Sequence, residues 1–354
     1  MSYLHHISLV RYRNFSQARY AFHHAVTGIT GINGSGKTNL LDAVYYLCFT
    51  KSYFQAKENA NVQFGRDGFR LGGKLNGEEI VCKWKDGKKT IEHDGLPYER
   101  VTEHIGKFQA VMIAPDDVEL INGGSDQRRK FADGLLAQSS PAYLEHLLLY
   151  QKYLGQRNAY LKQHNLATIS HALLDVYDEQ MALHGAALIA ARQELCQWLP
   201  TAVQLFYGQI SPGAAEKIAV HYWPCALPDL LAKQIADSRR RDIECGRSLV
   251  GPHAEDLGFV INDMPLKQHA SQGQKKSFLI ALKLAQVQWL QQLGKRPILL
   301  LDDIFEKLDR GRLSRLFARL RQMDLPQIMM THTDAQDLRQ VVGAYFEQLG
   351  LIEL

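Results

Sequence analysis

One stretch near the start of the chain has the residue types and spacing of a phosphate-binding loop. It matches G-x-x-x-x-G-K-[S/T] at every fixed position, between an apolar run and a helical pattern. Glycines let backbone N–H groups converge on phosphate oxygens, and the helix N-terminus adds positive potential. A chance glycine-rich turn is the alternative, which the flanking elements disfavour. The eight residues are Gly31, Ile32, Asn33, Gly34, Ser35, Gly36, Lys37 and Thr38.

Two side chains of this loop have specific expected tasks. Lys37 should reach the β- and γ-phosphates of a nucleotide, and the Thr38 hydroxyl should ligate Mg²⁺. Two acids, Asp302 and Asp303, follow the apolar run ILLL. A continuous apolar run is typical of a central parallel strand, so Asp302 is placed to bind the magnesium shell and Asp303 to polarise an attacking water. Without the loop they would be two ordinary acids at a strand end.

Two further polar features could also contact the phosphates of a nucleotide. His332 ends the apolar run QIMMT and could sense a γ-phosphate, although a histidine at a strand end is usually structural. A Ser-x-Gly-Gln cluster opens a later helical pattern. Its serine could be a simple N-cap, but its glycine, which lets a backbone approach a ligand closely, indicates a phosphate contact. The cluster consists of Ser271, Gln272, Gly273 and Gln274.

The pattern along the chain indicates an α/β domain that is split in sequence. Short strands precede the loop, residues 69–96 read as antiparallel strands with Asn-Gly and Asp-Gly turns, and residues from about 125 to 236 read as mostly helical. Strands and helices alternate after residue 271, ending in a terminal helix. The helix from Ser271 should be amphipathic. We expect three regions: 1–116, a mainly helical insertion over 117–250, and 251–354.

Composition fits a globular protein of two or three cooperating subdomains. The chain has 354 residues, a net charge of +4 and five cysteines without a C-x-x-C pair. The odd cysteine count argues against a disulfide framework or zinc site and favours a reducing cytoplasm. The N-terminus lacks the apolar core of a signal peptide, and no segment has the length of a membrane span. We therefore expect a cytoplasmic protein.

Several segments together resemble the ABC-type ATPases, in particular their SMC-like DNA-repair branch and its bacterial recombination proteins. Besides the phosphate loop they are PDDVELINGGSDQRRKFAD, RSLVGPHAEDL, SQGQ and LLLDDIFEKLD. The combination is specific and covers essentially the whole chain. The resemblance implies an α/β fold: an ABC-type ATPase head with an antiparallel β subdomain and an inserted α-helical domain.

The resemblance also implies a function. Such proteins bind ATP and Mg²⁺, close into a head-to-tail homodimer, and bind single-stranded and gapped duplex DNA. They act with RecO and RecR to place RecA, and a weak, DNA-stimulated ATPase serves as a release switch. By position, Asp303 replaces a catalytic Glu, Asp309 lies in the D-loop, His332 is the switch residue, and the Ser-x-Gly-Gln signature reaches the partner's ATP. The Q-loop glutamine is absent; Asp116 or Asp117 is its possible substitute.

Basic clusters are the candidate DNA contacts, because backbone binding needs several cations on one surface. A solvated face is the alternative for each cluster, and Arg128 or Arg129 could instead pair with Asp126 or Asp133. Trp84, Trp198 and Trp223 are expected in the core. The candidates are Arg128, Arg129, Lys130, Arg239, Arg240, Arg241, Lys275 and Lys276, with Lys83, Lys85, Lys88 and Lys89 as a further group.

Two other classes of protein share a phosphate loop and a signature. The nucleotide-binding subunit of a transporter usually has its signature close behind the loop in a compact domain, whereas a long helical insertion intervenes here. A chromosome-organising scaffold carries long heptad coiled coils, and the helical segments here are too short for sustained heptads. The sequence therefore favours the DNA-repair hypothesis over both.

Overall fold

The computed structural model describes residues 4–164, 166–211, 216–305 and 308–354. The chain forms two compact units, and the first is interrupted twice in sequence by the second, as a split domain requires. The second unit ends at Ser271, whereas we expected the insertion to end at residue 250. The first unit comprises Met1–Asp117, Leu205–Ala214 and Gln272–Leu354, and the second comprises Val118–Gln204 and Ala215–Ser271.

Fourteen strands lie in the described part of the chain, most of them where apolar or alternating runs predicted them. In chain order they are β1 (Leu4–Tyr12), β2 (Phe15–Ala21), β3 (Val26–Thr30), β4 (Gly68–Leu75), β5 (Glu78–Lys85), β6 (Lys88–His93), β7 (Leu96–Pro97), β8 (Ala110–Ile113), β9 (Ile218–Trp223), β10 (Asp256–Ile261), β11 (Met264–Pro265), β12 (Ile298–Leu301), β13 (Ile328–His332) and β14 (Leu349–Glu353).

Ten α-helices lie in the same described ranges. They are α1 (Lys37–Phe49), α2 (Glu119–Asn122), α3 (Ser125–Ser139), α4 (Pro141–Gln163), α5 (His171–Ile210), α6 (Leu231–Cys245), α7 (Leu266–His269), α8 (Gln272–Gln292), α9 (Arg310–Gln322) and α10 (Ala335–Gly343). None of the helices in these ranges is long and apolar enough to cross a membrane. All five cysteines are free thiols.

A five-stranded parallel sheet organises the first unit. Its strand order is β14-β3-β13-β12-β8, and every neighbouring pair is parallel. All four residues of β12 are buried, as a strand covered on both faces requires. Because parallel strands end at the same edge of a sheet, the ends of β3, β12 and β13 bring the phosphate loop, Asp302 and His332 together.

An antiparallel six-stranded sheet, β2-β1-β4-β5-β6-β7, completes this unit and confirms the predicted β subdomain. Its tight turns begin at Asn76, Asp86 and Asp94, whose φ angles are 52°, 51° and 49°, each followed by glycine. Asparagine and aspartate tolerate this left-handed conformation, which two-residue hairpin turns need. The apolar face of the sheet shares one core with α1.

The second unit consists of helices and a three-stranded sheet, β11-β10-β9. Arg157 of α4 is fully buried and donates to Asp178 of α5 at 2.6 Å and to Asp242 of α6 at 2.8 Å. Removing one partner of such a buried pair typically costs 3–5 kcal/mol, about the cost of losing a large core side chain. This buried group of three charged side chains therefore fixes the mutual placement of three helices.

Three local expectations were wrong. Strand β9 lies inside the region expected to be mostly helical, and β14 follows the helix expected to end the chain. Helix α8 was expected to be amphipathic, but its residues from Ser277 to Val287 are all buried, including Lys283 and Gln286. Lys283 is accommodated because it pairs with Asp117 at 2.8 Å, which offsets the cost of burying its charge.

Candidate nucleotide site

The loop between β3 and α1 has the backbone of a phosphate cradle. Gly34 and Gly36 adopt φ angles of 86° and 112°, which only glycine adopts without strain. A Cβ atom on Gly31 would lie 2.6 Å from the carbonyl oxygen of Leu354, so the loop and the end of β14 approach each other closely. The glycines are therefore needed both for loop curvature and for packing.

Two side chains of the loop are suited to an anion. Lys37 donates from Nζ to the carbonyl oxygens of Gly31 and Ile32 at 2.7 and 2.9 Å, so its ammonium group lies inside the loop. The Ser35 hydroxyl is buried and has no hydrogen-bond partner among the described residues. A buried hydroxyl is normally satisfied, and a phosphate oxygen in the loop would satisfy it.

Asp302 is the centre of the site. The Thr38 hydroxyl lies 2.9 and 3.1 Å from its two carboxylate oxygens, and the Thr331 hydroxyl donates to Oδ1 at 2.9 Å. Burial raises the pKa of Asp302, while the hydrogen bonds from Thr331 and Thr38 act in the opposite direction. A hydroxyl beside a carboxylate is the oxygen donor set that Mg²⁺ prefers, so these residues fit the expected cation.

Asp303 and His332 border Asp302. Asp303 has a left-handed φ of 52°, and its backbone N–H donates to the Thr331 hydroxyl at 2.9 Å. His332 is held by two contacts: its Nε2 lies 3.0 Å from the Asp337 carboxylate, and its ring stacks on Phe305 with centroids 4.4 Å apart. Because the carboxylate accepts, Nε2 carries the proton. The backbone of Asp303 and the ring of His332 are therefore both held in place.

The turn between β1 and β2 supports the loop, and the sequence alone did not indicate it. Asn14 donates to the backbone oxygen of Ser35 at 3.0 Å and accepts from Asn39 at 2.8 Å. Arg13 donates to Asn39 at 2.8 Å and forms an ion pair with Asp42, which is buried in α1. This turn therefore fixes the first two turns of α1, on which Thr38 lies.

The two acids considered as Q-loop substitutes have different environments. Asp117 is buried; it accepts from the backbone N–H of Ala114 at 2.8 Å, pairs with Lys283, and accepts the Tyr53 hydroxyl. Asp116 is exposed. The Asp117 carboxylate is therefore occupied by structural contacts. Asp116 is the acid of the two that is exposed to solvent.

Arg312 belongs to neither the signature nor the D-loop, but its side chain lies between Gly273 of the signature and Asp309 of the D-loop. A Cβ atom on Gly273 would lie 2.7 Å from Nη1 of Arg312. That guanidinium also lies 3.3 Å from Asp309, which caps α9 by accepting from the Arg312 backbone N–H at 2.9 Å. A side chain at position 273 would displace the Arg312 guanidinium from this place. Within one chain, Arg312 thus couples Gly273 to Asp309.

Most of the basic candidates for DNA contact already have acidic or carbonyl partners. Arg128 pairs with Asp256 rather than with Asp126 or Asp133, and Arg129 donates to the backbone oxygen of Glu255. Lys275 is buried and Lys276 half-buried. Among the rest, Arg241 is exposed; the ion pairs are Lys130 with Asp126, Arg239 with Asp175 and Asp178, and Arg240 with Glu244.

The phosphate loop, the paired Thr38 and Asp302, and the split α/β fold define the ATPase head fold of the SMC and ABC type. The sequence model described as RecF/RecN/SMC N terminal domain matches residues 3–352. The chain belongs to this family, and within it to the RecF group. The DNA replication and repair protein RecF of Phocaeicola vulgatus is 39% identical over 96% of this chain and 93% of its own length. Its counterpart in Flavobacterium johnsoniae is 36% identical over 99% and 100%.

Solved structures agree with this assignment. The structure described as the recombination mediator protein RecF-ATP in the RecFOR pathway is 29% identical, has a TM-score of 0.88, and covers 95% of this chain and 93% of its own. An Smc head domain derived from Pyrococcus furiosus is 14% identical with a TM-score of 0.56, covering 99% and 93%. The latter likeness shows a common fold only.

Proposed function

We propose that this chain is an ATP-dependent DNA-binding protein of recombinational repair, with a slow ATPase that acts as a release switch. The observation that carries the proposal is the meeting of Thr38 and Asp302 at 2.9 and 3.1 Å, with Thr331 bracing the carboxylate. The relatives named DNA replication and repair protein RecF, and the ATP-bound RecF structure, support the choice of nucleotide and process.

At the nucleotide site each side chain has one proposed task. The backbone N–H groups of residues 31–38 and the Lys37 ammonium bind phosphate oxygens, and Thr38 with Asp302 holds Mg²⁺. ATP bound with Mg²⁺ supplies the phosphoryl group that hydrolysis transfers to water. Asp303 orients the attacking water as a general base, and His332, fixed by Asp337 and Phe305, contacts the γ-phosphate.

The signature is proposed to act on a second copy of the chain. Ser271 is exposed at the start of α8, where a hydroxyl, backbone N–H groups and a helix N-terminus suit a phosphate. Gly273 lies beside Arg312, which contacts Asp309 of the D-loop. This arrangement supports a head-to-tail homodimer in which each signature completes the site of its partner and the D-loop senses the contact.

DNA binding is proposed to depend on charge and DNA structure rather than on base sequence. Arg241 and the weakly paired Lys130 and Arg240 are exposed and are the best placed of the predicted contacts. Arg128 and Arg239 become contacts only if their present acidic partners are exchanged. Arg129 is held by a carbonyl oxygen, Lys275 is buried and Lys276 is half-buried. RecO, RecR and RecA are the proposed partners, acting on gapped DNA in the cytoplasm.

The test measures dimerisation and binding to a gapped duplex with and without Mg-ATP. We expect ATP to raise both, and Lys37→Ala to remove the response. A wild-type chain whose mass and DNA affinity are the same with and without ATP would rule out the proposal. Binding of ATP without any DNA affinity would favour a transporter-type or scaffold head instead.

A further inference from the structure

The outer face of the three-stranded sheet in the second unit carries two exposed aromatic rings. Along β9, Ile218 and Val220 are buried on one face, whereas His221 and Trp223 are exposed on the side of the sheet that alternates with them. Trp223 is 54% exposed, contrary to its expected place in the core. A single exposed ring needs no explanation, but Trp223 and His221 together expose two rings on one face of the sheet.

Gly258 gives the two rings their arrangement. It lies opposite His221 in the neighbouring strand β10, and a Cβ atom there would fall 2.2 Å from the Trp223 indole. The indole therefore lies over bare β10 backbone with part of its surface in solvent. The His221 ring follows, with its centroid 6.1 Å from the Trp223 ring at an angle of 30°. The result is a pair of adjacent rings on one sheet face.

Positive charge lies beyond both ends of this pair. Lys217 is exposed and directly precedes β9. It lies two residues before Ala219 and four before His221, so the alternation of the strand puts it on the same side of the sheet as those residues. At the other end, Arg129 donates to the carbonyl oxygen of Glu255, next to Asp256, which pairs with Trp223 in the sheet. Because that partner is a carbonyl rather than a carboxylate, the Arg129 charge is not neutralised by it.

We propose that His221 and Trp223 form a stacking platform for unpaired bases of single-stranded DNA, with Lys217 and Arg129 contacting the phosphates on either side. Aromatic side chains on a sheet surface accept bases of any sequence, because every base has a π-face. Flanking cations match a polyanion and would not be needed by an apolar peptide. The inference rests on the proposed DNA-binding function and assigns the single-stranded part of it to this face.

Trp223 provides a probe, since a stacked base should quench its fluorescence. The chain has four tryptophans, so the Trp223 signal is the quenching that Trp223→Ala no longer shows. The ligand is an oligothymidylate, titrated into the full-length protein with Mg-ATP present. We expect Trp223→Ala to weaken oligothymidylate binding about tenfold, within the range measured for single stacking side chains. Trp223→Phe keeps a ring and should remain within about threefold of the wild type. Leu227→Ala is the matched control, because Leu227 is an exposed apolar residue close by in sequence without a ring.

Gly258→Ala tests the arrangement without removing a ring. The added methyl group displaces the indole from the sheet, so we expect both the quenching and the affinity to fall, while melting temperature reports whether the sheet is intact. Affinity for blunt duplex DNA should not change in any variant, because its bases are already stacked.

The outcomes separate the two proposals. If the wild type binds no DNA, the proposed function fails. If the wild type binds oligothymidylate and folded Trp223→Ala binds it equally well, only the stacking platform is overturned. Equal losses in Trp223→Ala and Leu227→Ala would also overturn it, because they would indicate that oligothymidylate makes a general apolar contact with this region and does not stack on a ring.

Discussion

Thr38 and Asp302 meet through their side chains although they lie 264 positions apart in the chain. The hydroxyl of Thr38 is 2.9 and 3.1 Å from the two oxygens of Asp302. Parallel pairing of β3 with β13, and of β13 with β12, brings the strand ends that carry these residues to one edge of the sheet. The pair therefore forms only when the two halves of the split domain are correctly assembled.

Asp302→Asn should stabilise the free protein and remove its response to nucleotide. Burial raises the pKa of Asp302, so ionising this group in the folded state costs free energy that the amide avoids. Asparagine still accepts hydrogen bonds from Thr38 and Thr331 but provides no charge for Mg²⁺. At ATP about 100 times its Kd, ligand binding adds about 2.7 kcal/mol to the stability of the wild type.

Thermal unfolding with and without Mg-ATP checks both halves of this prediction. The variant should melt higher than the wild type without nucleotide and gain nothing measurable with it. Asp324→Asn is the control, because Asp324 is an exposed acid in a weak surface pair with Arg296. A variant that retains the full Mg-ATP shift would show that Asp302 is not a cation ligand. A variant that is destabilised without nucleotide would show instead that ionised Asp302 stabilises the free protein.

Lys37→Ala should abolish nucleotide binding and, with it, ATP-dependent retention on DNA. The lysine is the only charged side chain of the phosphate loop itself, and its ammonium already lies inside that loop. Equilibrium binding of a labelled ATP analogue measures the loss, with Lys88→Ala as an exposed control in the same unit. Unchanged nucleotide affinity in Lys37→Ala would refute the assignment of the loop.

Asp303→Asn should leave ATP binding intact and trap the dimer. The amide cannot take a proton from water, so hydrolysis stops while the backbone N–H of residue 303 can still donate to Thr331. The lifetime of ATP-bound dimers, followed by size-exclusion chromatography after ATP is removed, should increase at least tenfold, about 1.4 kcal/mol of barrier. If such dimers separate as fast as those of the wild type, Asp303 is not the hydrolytic group.

The parts of this site that were predictable lie within short motifs. The loop residues, Asp302 and His332 stand at strand ends that apolar runs reveal, so their meeting follows from parallel pairing. Thr331 was not predicted, because threonine in an apolar strand also reads as a simple β-former. Arg312 was missed because its contact with Gly273 joins two helices about forty positions apart in sequence, and no local pattern encodes it.

The fold shows the same limit. Strand β14 was missed because its sequence, LGLIE, is short, contains Gly350 and lacks an alternation of apolar and polar residues. Its assignment depends on pairing with β3, a strand more than 300 positions away. Helix α8 appeared amphipathic because Lys283 looks solvent-exposed in sequence; only the pairing with Asp117 explains its burial. Long-range pairing decided each case.

Ser271→Arg should separate nucleotide binding from dimerisation. An arginine at the start of α8 would obstruct the approach of a partner's phosphates, but Ser271 is not part of its own phosphate loop. ATP affinity should therefore equal that of the wild type while the ATP-induced dimer disappears in sedimentation. Ser271→Ala is the control, because loss of a simple cap costs only about 1 kcal/mol. Dimers that survive in Ser271→Arg would exclude a signature acting in trans.

His104 should make the stability of the first unit depend on pH. The ring is fully buried, Nε2 donates to the backbone oxygen of Leu47 at 2.7 Å, and burial lowers the pKa of His104 to about 4. The unfolded chain, with a pKa of 6.5, binds a proton between these values that the folded chain does not. The free energy of unfolding therefore decreases as pH falls from 6.5 towards 4.

Between pH 7.5 and pH 5 this single group should remove about 2 kcal/mol of stability. Urea unfolding of the wild type and His104→Gln at both pH values measures the contribution, since glutamine can still donate to Leu47 but does not titrate. Other titrating groups affect both proteins equally, and His5→Gln, at an exposed position, controls for loss of a histidine. His104→Gln should lose less stability on acidification than the wild type by that amount. If both proteins lose the same free energy of unfolding on acidification, the buried ring becomes protonated without destabilising the unit. Another group would then determine how the stability of the unit depends on pH.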